Sequence, residues 1–429
     1  MLKLRGSLKI SGDKSISHRA LILSAMTVGK TKITNLLESD DVMRTLKILK
    51  ELGVNIIKQK NYWIVYGNGT NSFIEPNKYL NCGNSGTTAR LMLGAVSSNP
   101  INCHFIGDKS LSKRSMSRVT KHLEHMGAIV QMTKEDYLPL TISGSDKLLP
   151  IKHKVQKASA QIKSALMLAA LNIHGKTKII ENVPTRDHTE RLLKFLNVDF
   201  KINILSSKAR QIELNGPYEI SSKNIEVAGD PSSASFFIIG ALILPKSKVK
   251  LKNVMLNPSR IAFLKILKSM GGKIKIQKTK KVSGEDLGTI TAEYSNLKGI
   301  NIPSNKSAFL IDEYPILSIA ASQAKGKTVM KGLNELRHKE SDRIKSIIYN
   351  FKKIGINFHQ EKDDLSILGK KLIIKKNVKI KSFNDHRIAM AFSILNILYN
   401  NKLKVDNKKC INISYPDFEK HLNYLTVKY

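Results

Sequence analysis

The stretch ALILSAMTVGKTKITNL (residues 20–36) recurs as ALMLAALNIHGKTKIIEN (165–182) and as ILSIAASQAKGKTVMKGL (316–333). Each copy predicts a buried helix rich in small and aliphatic residues, then a Gly-Lys-Thr turn, then a strand. Three weaker copies of the same plan lie at residues 89–105, 236–254 and 388–407. A segment that recurs at a fixed spacing indicates a fold built from repeated structural units. These six copies divide the chain into units of about 72 residues.

A second helix is predicted in every unit, because leucine and isoleucine recur at helical spacing and a glycine usually closes the segment. The six segments are residues 42–54, 117–128, 189–198, 260–272, 343–355 and 418–427. Strands are expected nearby, for example at residues 61–67, 272–278 and 371–376. Each unit is therefore predicted to be a βαβ-containing element with two helices, and the fold class to be α/β.

The Gly-Lys-Thr triplets do not form a nucleotide-binding P-loop. That motif requires a further glycine, separated from the Gly-Lys pair by four residues. Ser24, Ala170 and Ala321 occupy those positions. Because the triplets follow predicted helices, we interpret their glycines as helix C-caps.

Length and composition narrow the class of protein. The chain has 429 residues, of which 41% are hydrophobic, and this predicts two or three domains. It shows no apolar run of membrane-spanning length and no apolar stretch typical of a secretory signal. Its three cysteines, Cys82, Cys103 and Cys410, are far apart, which argues against a disulfide framework or a cysteine zinc site. We therefore expect a cytoplasmic protein.

The charge balance is strongly basic, with 71 basic and 34 acidic residues and a net charge of +37. Such a balance suggests phosphate-rich partners, nucleic acid among them. However, 58 of the basic residues are lysines spread over the whole chain, as an AT-rich genome favours, and only 6% of the residues are aromatic. A nucleic-acid-binding protein is thus the less favoured class, and a steeply salt-dependent affinity for random duplex DNA would support it.

Short polar residues precede each predicted first helix, in the segments 11–19, 81–90, 157–164, 228–235, 310–315 and 383–387. Such residues cap helices, and helix N-termini attract anions. Seven of the 13 arginines lie in or beside helix-entry segments: Arg19, Arg90, Arg114, Arg186, Arg337, Arg343 and Arg387. Because the guanidinium fork matches carboxylate and phosphate, we predict a small ligand with several negative charges.

Nine segments of the chain, in order, resemble the enolpyruvyl transferase family, and within it the branch that uses shikimate 3-phosphate. They are residues 11–25, 81–94, 107–116, 157–171, 185–193, 229–237, 311–317, 337–344 and 384–392. The resemblance implies a two-domain inside-out α/β barrel. Each domain would hold three βαβ-containing repeats in pseudo-threefold symmetry, with helices inside and sheets outside.

The resemblance also implies where the domains divide. One domain would comprise residues 13–228 and the other residues 1–12 plus 229–429, with chain crossings near Gly12–Lys14 and Gly229–Asp230. The active-site cleft and the hinge would lie between them.

The family reaction transfers the enolpyruvyl group of phosphoenolpyruvate to the 5-hydroxyl of shikimate 3-phosphate and releases phosphate, on the route to chorismate and aromatic amino acids. The resemblance implies no metal and no cofactor. It implies small-molecule substrates, no nucleic acid and no membrane, and we expect a monomer. The chemistry requires anion-binding groups, a general base and a general acid.

The matching motifs carry the family's site residues onto this chain. The predicted catalytic residues are Asp312 as general base, Glu340 as proton donor to C3, and Lys14, which would touch both substrates. The predicted contacts of shikimate 3-phosphate are Lys14, Ser15, Arg19, Ser159, Gln161, Thr185, Arg186, Asp312 and Lys339. The predicted contacts of phosphoenolpyruvate are Lys14, Asn84, Gly86, Arg114, Gln161, Arg343 and Arg387. Arg90 belongs to the same motif as Gly86, and His386 either assists proton transfer or orients Arg387.

Some positions depart from the common family pattern. Ala160 stands where many members have a second serine before the glutamine, and Ile413 stands where many have a lysine. Both departures occur in the branch often called class II, and neither residue is assigned the missing role. Glyphosate competes with phosphoenolpyruvate in this family. We expect Gly86→Ala to weaken glyphosate more than phosphoenolpyruvate, because the added methyl would meet only the longer ligand.

The nearest alternative is the family member that uses UDP-N-acetylglucosamine as acceptor. That enzyme uses a cysteine in the loop after the second repeat. Here the corresponding loop, residues 107–116, contains no cysteine, and Cys103 lies in the preceding predicted strand. The motifs at residues 337–344 and 384–392 also favour shikimate 3-phosphate.

Overall fold

The computed structural model describes residues 2–134, 136–155, 158–206, 209–370 and 378–428. The strand predicted at residues 371–376 lies outside these ranges. The described residues form thirteen α-helices: α1 (Lys14–Ala25), α2 (Asp40–Glu51), α3 (Gly86–Ser97), α4 (Ser117–His125), α5 (Ala160–Ala170), α6 (His188–Phe195), α7 (Pro231–Ile243), α8 (Ala262–Ser269), α9 (Ser307–Leu310), α10 (Tyr314–Gln323), α11 (Arg343–Ile354), α12 (His386–Leu398) and α13 (Phe418–Leu425).

The strands of the described residues number twenty-three. They are β1 (Leu2–Lys9), β2 (Val28–Thr34), β3 (Asn55–Lys58), β4 (Tyr62–Asn68), β5 (Leu80–Asn81), β6 (Asn102–Ile106), β7 (Ile129–Lys134), β8 (Tyr137–Ser143), β9 (Lys152–Val155), β10 (Gly175–Glu181), β11 (Phe200–Ile204), β12 (Arg210–Gly216), β13 (Ile225–Glu226), β14 (Lys248–Met255), β15 (Lys273–Val282), β16 (Glu285–Glu293), β17 (Asn301–Ile302), β18 (Gly326–Met330), β19 (Asn357–Glu361), β20 (Asp364–Gly369), β21 (Val378–Ile380), β22 (Leu403–Val405) and β23 (Thr426–Lys428).

The chain divides into two compact units. The N-terminal unit comprises Gly12–Val227 and Val282–Gly284. The C-terminal unit comprises Met1–Ser11, Ala228–Lys281 and Glu285–Tyr429.

The repeats build their sheets on one plan, in which a parallel pair of strands continues into an antiparallel hairpin. The N-terminal unit contains the sheets β13-β2-β4-β3, β5-β6-β8-β7 and β9-β10-β12-β11. The C-terminal unit contains β17-β18-β20-β19, β21-β22, and β1-β14-β16-β15 with β23 beside β1. The predicted α/β class with six βαβ-containing repeats is confirmed. Among the described residues, no sheet closes on itself into a barrel.

The first helix of every repeat is buried on almost all sides, as its apolar composition predicts. In the C-terminal unit α7, α10 and α12 pack against one another, and in the N-terminal unit α3 packs against α1 and α5. Strands then cover these helices from outside, for example β14 and β16 over α7. The second helices α2, α4, α6, α8, α11 and α13 each bury one face, which matches their periodic leucines and isoleucines. None of the described helices is long and apolar enough to cross a bilayer.

The interpretation of the Gly-Lys-Thr glycines as helix C-caps is wrong. The C-cap of α1 is Met26 and that of α5 is Leu171. Gly29 and Gly175 instead lie at the beginnings of β2 and β10, with φ of +107° and +101°. Only glycine adopts this backbone conformation without strain, so it turns the chain from the helix into the outer strand.

The close contact between α3 and α5 depends on a glycine. A Cβ atom on Gly94 would lie 2.2 Å from the Ala165 carbonyl oxygen, a backbone atom that cannot move alone. A Cβ on Gly240 in α7 would instead meet the ends of the Leu4 and Ile394 side chains, at 2.6 and 3.4 Å. Flexible side-chain ends can shift, whereas two helix backbones must separate.

We expect Gly94→Ala to lower the free energy of unfolding by about 1–3 kcal/mol, the usual range for overpacking. Gly240→Ala should cost less: both positions lie inside helices and gain about 1 kcal/mol of helix propensity with alanine, but only at Gly240 can the neighbouring side chains adjust. Urea unfolding of both variants measures the difference. An equal or larger loss at Gly240 would contradict this account of the contact between α3 and α5.

Candidate active site

The predicted anion-binding residues of the N-terminal unit lie at or beside the starts of α1, α3 and α5. Each start is capped by a side chain of its own motif: Asp13, Ser85 and Ser159 accept hydrogen bonds from the amides of Ile16, Thr88 and Ile162, at 2.8, 3.1 and 3.4 Å. A cap satisfies only some of the N–H groups in the first turn, and the remaining ones contribute a partial positive charge. The three helix starts therefore favour anionic ligands, as the sequence predicts.

Lys14 is the first residue of α1 and is paired with an acidic residue of the next helix. Its Nζ lies 2.9 Å from Oδ2 of Asp41 in the first turn of α2. The Lys14 side chain is 17% exposed and that of Asp41 8%, so both groups lie mostly out of water. Asp41 thus fixes the position of the lysine while leaving it accessible to a ligand.

Arg19 lies inside the N-terminal unit and is bonded to three segments. Its Nε donates to Oγ1 of Thr189 and its Nη2 to Oγ of Ser164, both at 2.7 Å. Its Nη1 donates to the carbonyl of Ser15, one helical turn earlier, at 2.9 Å. The structure therefore places Arg19 as a link between α1, α5 and α6, with Ser15 partly exposed at the start of α1.

Arg114 and Asn84 are brought together as the sequence predicts. Nη2 of Arg114 donates to Oδ1 of Asn84 at 2.7 Å and to Oγ of Ser110 at 3.0 Å. Asn84 in turn donates from Nδ2 to Oδ2 of Asp108 at 2.7 Å. The arginine is thus oriented by the loop that precedes α3 and by the loop that follows β6.

A second arginine, Arg90, connects the starts of α3 and α5. Its Nη1 donates to Oε1 of Gln161 at 2.8 Å, and Gln161 donates from Nε2 to Oγ1 of Thr87 at 2.9 Å. Nη2 of Arg90 donates to the carbonyl of Ser115 at 3.0 Å. Burial, followed by the positive charges of Arg114 and Arg118, lowers the pKa of Arg90 to about 10. A negatively charged ligand would relieve this repulsion.

The expectation for Gly86→Ala, that the added methyl would meet only the longer ligand, left out a protein contact. A Cβ atom on Gly86 would lie 2.8 Å from Nη1 of Arg90 and 3.7 Å from Nη1 of Arg114. Arg90 would have to move, and its hydrogen bond to Gln161 holds it where it is. Gly86→Ala would therefore disturb the predicted phosphoenolpyruvate contacts as well as any longer inhibitor.

The remaining predicted residues of this unit lie at the third repeat. Ser159 caps α5, and Thr185 and Arg186 lie in the segment between β10 and α6. The Thr185 hydroxyl donates to Oε1 of Glu181. Thr185 and Arg186 are both partly exposed.

The predicted residues of the C-terminal unit meet around Arg343, the first residue of α11. Its Nε lies 2.9 Å from Oδ2 of Asp385 and its Nη2 2.7 Å from Oε2 of Glu340, while Nη1 lies 3.7 Å from Oδ1 of Asp312. Burial alone lowers the pKa of Arg343, but the charges of Asp385 and Glu340 outweigh it and raise that pKa. Arg343 therefore stays charged, although only 1% of its side chain is exposed.

Arg387 and Lys339 complete this group. Nη2 of Arg387 lies 3.9 Å from Oδ1 of Asp312, so the predicted base faces two arginines. Asp385 caps α12 by accepting from the Arg387 amide at 2.8 Å, and His386 is buried at the first position of that helix. Burial is the largest influence on Lys339 and lowers its pKa, while the charge of Asp312 opposes the shift.

Each of the three arginines predicted to bind phosphoenolpyruvate keeps a buried donor nitrogen with no hydrogen-bond partner in the part of the chain that the structure describes. These atoms are Nε of Arg114, Nη1 of Arg343 and Nε of Arg387. A buried charged donor without a partner is costly. Such donors are therefore expected where a ligand supplies the acceptor.

The model of one protein family, EPSP synthase (3-phosphoshikimate 1-carboxyvinyltransferase), matches residues 1–422. The chain belongs to the EPSP synthase family. The 3-phosphoshikimate 1-carboxyvinyltransferase of Zymomonas mobilis is 41% identical over 423 residues, 97% of this chain and 92% of that protein. The protein of the same name from Petrotoga mobilis is 43% identical over 422 residues, 97% of this chain and 95% of that protein. The solved EPSP synthase of Acinetobacter baumannii has a TM-score of 0.86 at 36% identity and covers 100% of this chain and 98% of that one.

Sequence reasoning missed the acidic partners in this member of the EPSP synthase family. Asp108 and Asp385 stand in motifs that matched the family, and both orient predicted arginines through the bonds described above. Asp41 lies in the first turn of α2, outside those motifs, and pairs with Lys14. Asp108 and Asp385 could have been inferred from sequence, because a carboxylate inside an arginine-containing motif is a candidate ion-pair partner. Nothing local pointed to Asp41.

The lowered pKa of Lys339 predicts a pH effect in this EPSP synthase family member. A lysine with a lowered pKa loses its positive charge at a lower pH than an ordinary lysine, so binding of an anionic substrate should weaken early on the alkaline side. Arginine stays charged throughout that range. We expect Lys339→Arg to move the alkaline limb of kcat/KM for shikimate 3-phosphate to higher pH. Lys345→Arg, at an exposed position of α11, is the control. Identical alkaline limbs for parent and Lys339→Arg would assign that limb to another group.

Proposed function

We propose that this member of the EPSP synthase family uses the two residue groups described above to transfer the enolpyruvyl group of phosphoenolpyruvate to the 5-hydroxyl of shikimate 3-phosphate. The observation that carries the assignment of residues is the set of buried donor nitrogens on Arg114, Arg343 and Arg387, which have no partner among the described residues. Phosphoenolpyruvate carries a carboxylate and a phosphate, and both match the guanidinium fork. We assign these three arginines to it.

Shikimate 3-phosphate is assigned to the starts of α1 and α5, to the segment before α6, and to Lys339. Lys14, Ser15 and Ser159 contribute from the helix starts, with Gln161 one turn into α5. Thr185 and Arg186 contribute from the segment before α6, and Asp312 from the turn between α9 and α10. Arg19 stabilises the arrangement of these residues, because it donates hydrogen bonds to Ser15, Ser164 and Thr189.

Asp312 is proposed as the general base. Its Oδ1 faces Arg343 and Arg387 at 3.7 and 3.9 Å, and nearby positive charge keeps a carboxylate ionised. The ionised carboxylate takes the proton of the 5-hydroxyl while its oxygen bonds to C2 of phosphoenolpyruvate. The same two arginines hold the base and the enolpyruvyl donor, so proton transfer and addition are coupled.

Glu340 is proposed as the acid that gives a proton to C3. Its bond to Nη2 of Arg343 favours the ionised form in the protein alone. A bound anion beside Arg343 adds negative charge next to Glu340, and this favours the protonated form that the step requires. Phosphate then leaves C2 while the Glu340 carboxylate takes back one proton from C3, and this restores the double bond in the product.

We also propose that the chain acts in the cytoplasm as a monomer without a nucleic-acid partner. Cys82, Cys103 and Cys410 are all free and buried, which fits a reducing compartment. The UDP-N-acetylglucosamine reaction is less favoured, because it would require an accessible cysteine. Burial, helped by Glu75, raises the pKa of Cys103 to about 12, so this thiol is a poor proton donor or nucleophile.

The test is phosphate release from phosphoenolpyruvate with a choice of acceptors. We expect release with shikimate 3-phosphate, in step with acceptor consumption. Unphosphorylated shikimate should react far more slowly, and UDP-N-acetylglucosamine should not react. Release with the nucleotide sugar, or none with shikimate 3-phosphate, would contradict the proposal.

Asp312→Asn keeps the size and polarity of the side chain but removes the proton acceptor. We expect kcat to fall by about a hundredfold or more with little change in either KM, as for loss of a general base. Asp363→Asn is the matched control, because Asp363 pairs with Arg337 elsewhere in the same unit. Near-normal turnover of Asp312→Asn would move the role to another group, Glu340 first.

A further inference from the structure

Four charged side chains form a compact cluster inside the third repeat of the N-terminal unit. They are Lys163 of α5, Glu181 at the end of β10, Glu190 of α6 and Arg210 at the start of β12. The side chain of Lys163 is 0% exposed, those of Glu181 and Glu190 1% and 3%, and that of Arg210 16%. None of the four belongs to the residues assigned to substrates or catalysis.

The cluster is closed by four short contacts that alternate in charge. Oε2 of Glu181 lies 3.1 Å from Nζ of Lys163 and 2.7 Å from Nε of Arg210. Oε1 of Glu190 lies 2.7 Å from the same Nζ and 3.1 Å from Nη2 of Arg210. Each carboxylate therefore bridges both cations, and the cluster is neutral as a whole.

The topology of the repeat brings the four residues together. Glu181 and Arg210 are register partners in the antiparallel pair β10–β12, so their side chains leave the sheet on the same face. Lys163 reaches them from α5, which packs on this sheet, and Glu190 from α6. Such a cluster cannot be read from sequence spacing, because its members are far apart along the chain.

The cluster is bonded directly to one proposed substrate-binding segment and is continuous with another. Thr185 donates its hydroxyl to Oε1 of Glu181, and its carbonyl accepts from Nη2 of Arg210 at 3.2 Å. Lys163 lies one turn after Ser159, and its amide donates to the Ser159 carbonyl at 3.3 Å. Both the hydroxyl and the carbonyl of Thr185 are thus bonded to side chains of the cluster.

We propose that Lys163, Glu181, Glu190 and Arg210 are positioning residues that hold the segment around Thr185 and Arg186 in the conformation that receives shikimate 3-phosphate. The inference rests on the proposed function, since it assigns a consequence to that substrate alone. Fixing this partly exposed segment in advance spares the ordering cost that binding would otherwise carry.

A purely structural role explains the cluster less well. Buried ion pairs lose much of their attraction to desolvation, and apolar residues of similar volume are often as stabilising. Carboxylates and a guanidinium, in contrast, can accept from the Thr185 hydroxyl and donate to its carbonyl at once. The chemical identity of the cluster therefore matters for the segment it holds.

The test compares Arg210→Lys with the parent protein in steady-state kinetics with both substrates. Lysine keeps the charge but cannot reach Glu181, Glu190 and the Thr185 carbonyl together. We expect the KM for shikimate 3-phosphate to rise about tenfold, with the KM for phosphoenolpyruvate within about twofold of the parent. Titration calorimetry with shikimate 3-phosphate alone should show the same loss of affinity.

A charge-balanced double variant, Glu181→Gln with Arg210→Gln, guards against a folding defect. It removes one charge of each sign and leaves the Lys163–Glu190 pair intact, and we expect the same selective rise in KM. The matched control is Glu213→Gln, which removes the partly exposed contact of Glu213 with Lys176 on the same two strands. This control should leave both KM values unchanged.

The outcomes separate the inference from the proposed function. If the parent protein releases no phosphate with shikimate 3-phosphate, the proposed function fails. If the parent is active and both cluster variants keep its KM for shikimate 3-phosphate, the inference fails and the function stands. A lower kcat with both KM values unchanged would indicate loss of folded protein only, and would also overturn the inference.

Discussion

The structure depends on satisfying the backbone N–H groups at the starts of its buried helices. A helix that begins inside a protein leaves up to four N–H groups without helical partners. In five of the six first helices of the repeats, a motif side chain accepts one of these hydrogen bonds: Asp13, Ser85, Ser159, Asp230 and Asp385. The exception, α10, begins after Glu313, which makes no such bond. The same short polar motifs that make burial possible therefore also create the anion-attracting ends that the proposed chemistry uses.

Charge compensation is the second constraint. Cations gathered at helix starts repel one another, and this repulsion adds to burial, the larger cause, in lowering the pKa of Arg90. Acidic partners offset this repulsion, such as Asp41 for Lys14 and Asp385 for Arg343. These partners orient each cation without using all its donors, as Nη1 of Arg343 and Nε of Arg387 show. The result is a set of preoriented donors, which need little rearrangement when an anion binds.

Much of the fold could be predicted from sequence because its signals are local. Helical periodicity, capping residues and the repeated segment at residues 20–36 depend only on neighbours along the chain, and the predicted helices were confirmed. The pairing of Lys14 with Asp41 and the cluster around Glu181 depend on which helices and strands pack together, so local patterns do not reveal them. Two glycine positions show the same limit: the C-cap interpretation of Gly29 is wrong, and the guanidinium beside Gly86 was not expected. Neither the positive φ of Gly29 nor the position of the Arg90 guanidinium beside Gly86 can be inferred from the adjacent residues.

The central claim is that the buried arginine donors of the C-terminal unit are reserved for phosphoenolpyruvate. The most direct measurement is a crystal structure of the protein with shikimate 3-phosphate and phosphoenolpyruvate bound, in a variant that turns over slowly. The account predicts that oxygens of phosphoenolpyruvate lie within hydrogen-bond distance of Nη1 of Arg343 and Nε of Arg387. Phosphoenolpyruvate bound elsewhere, with both nitrogens still lacking an acceptor from it, would contradict the account.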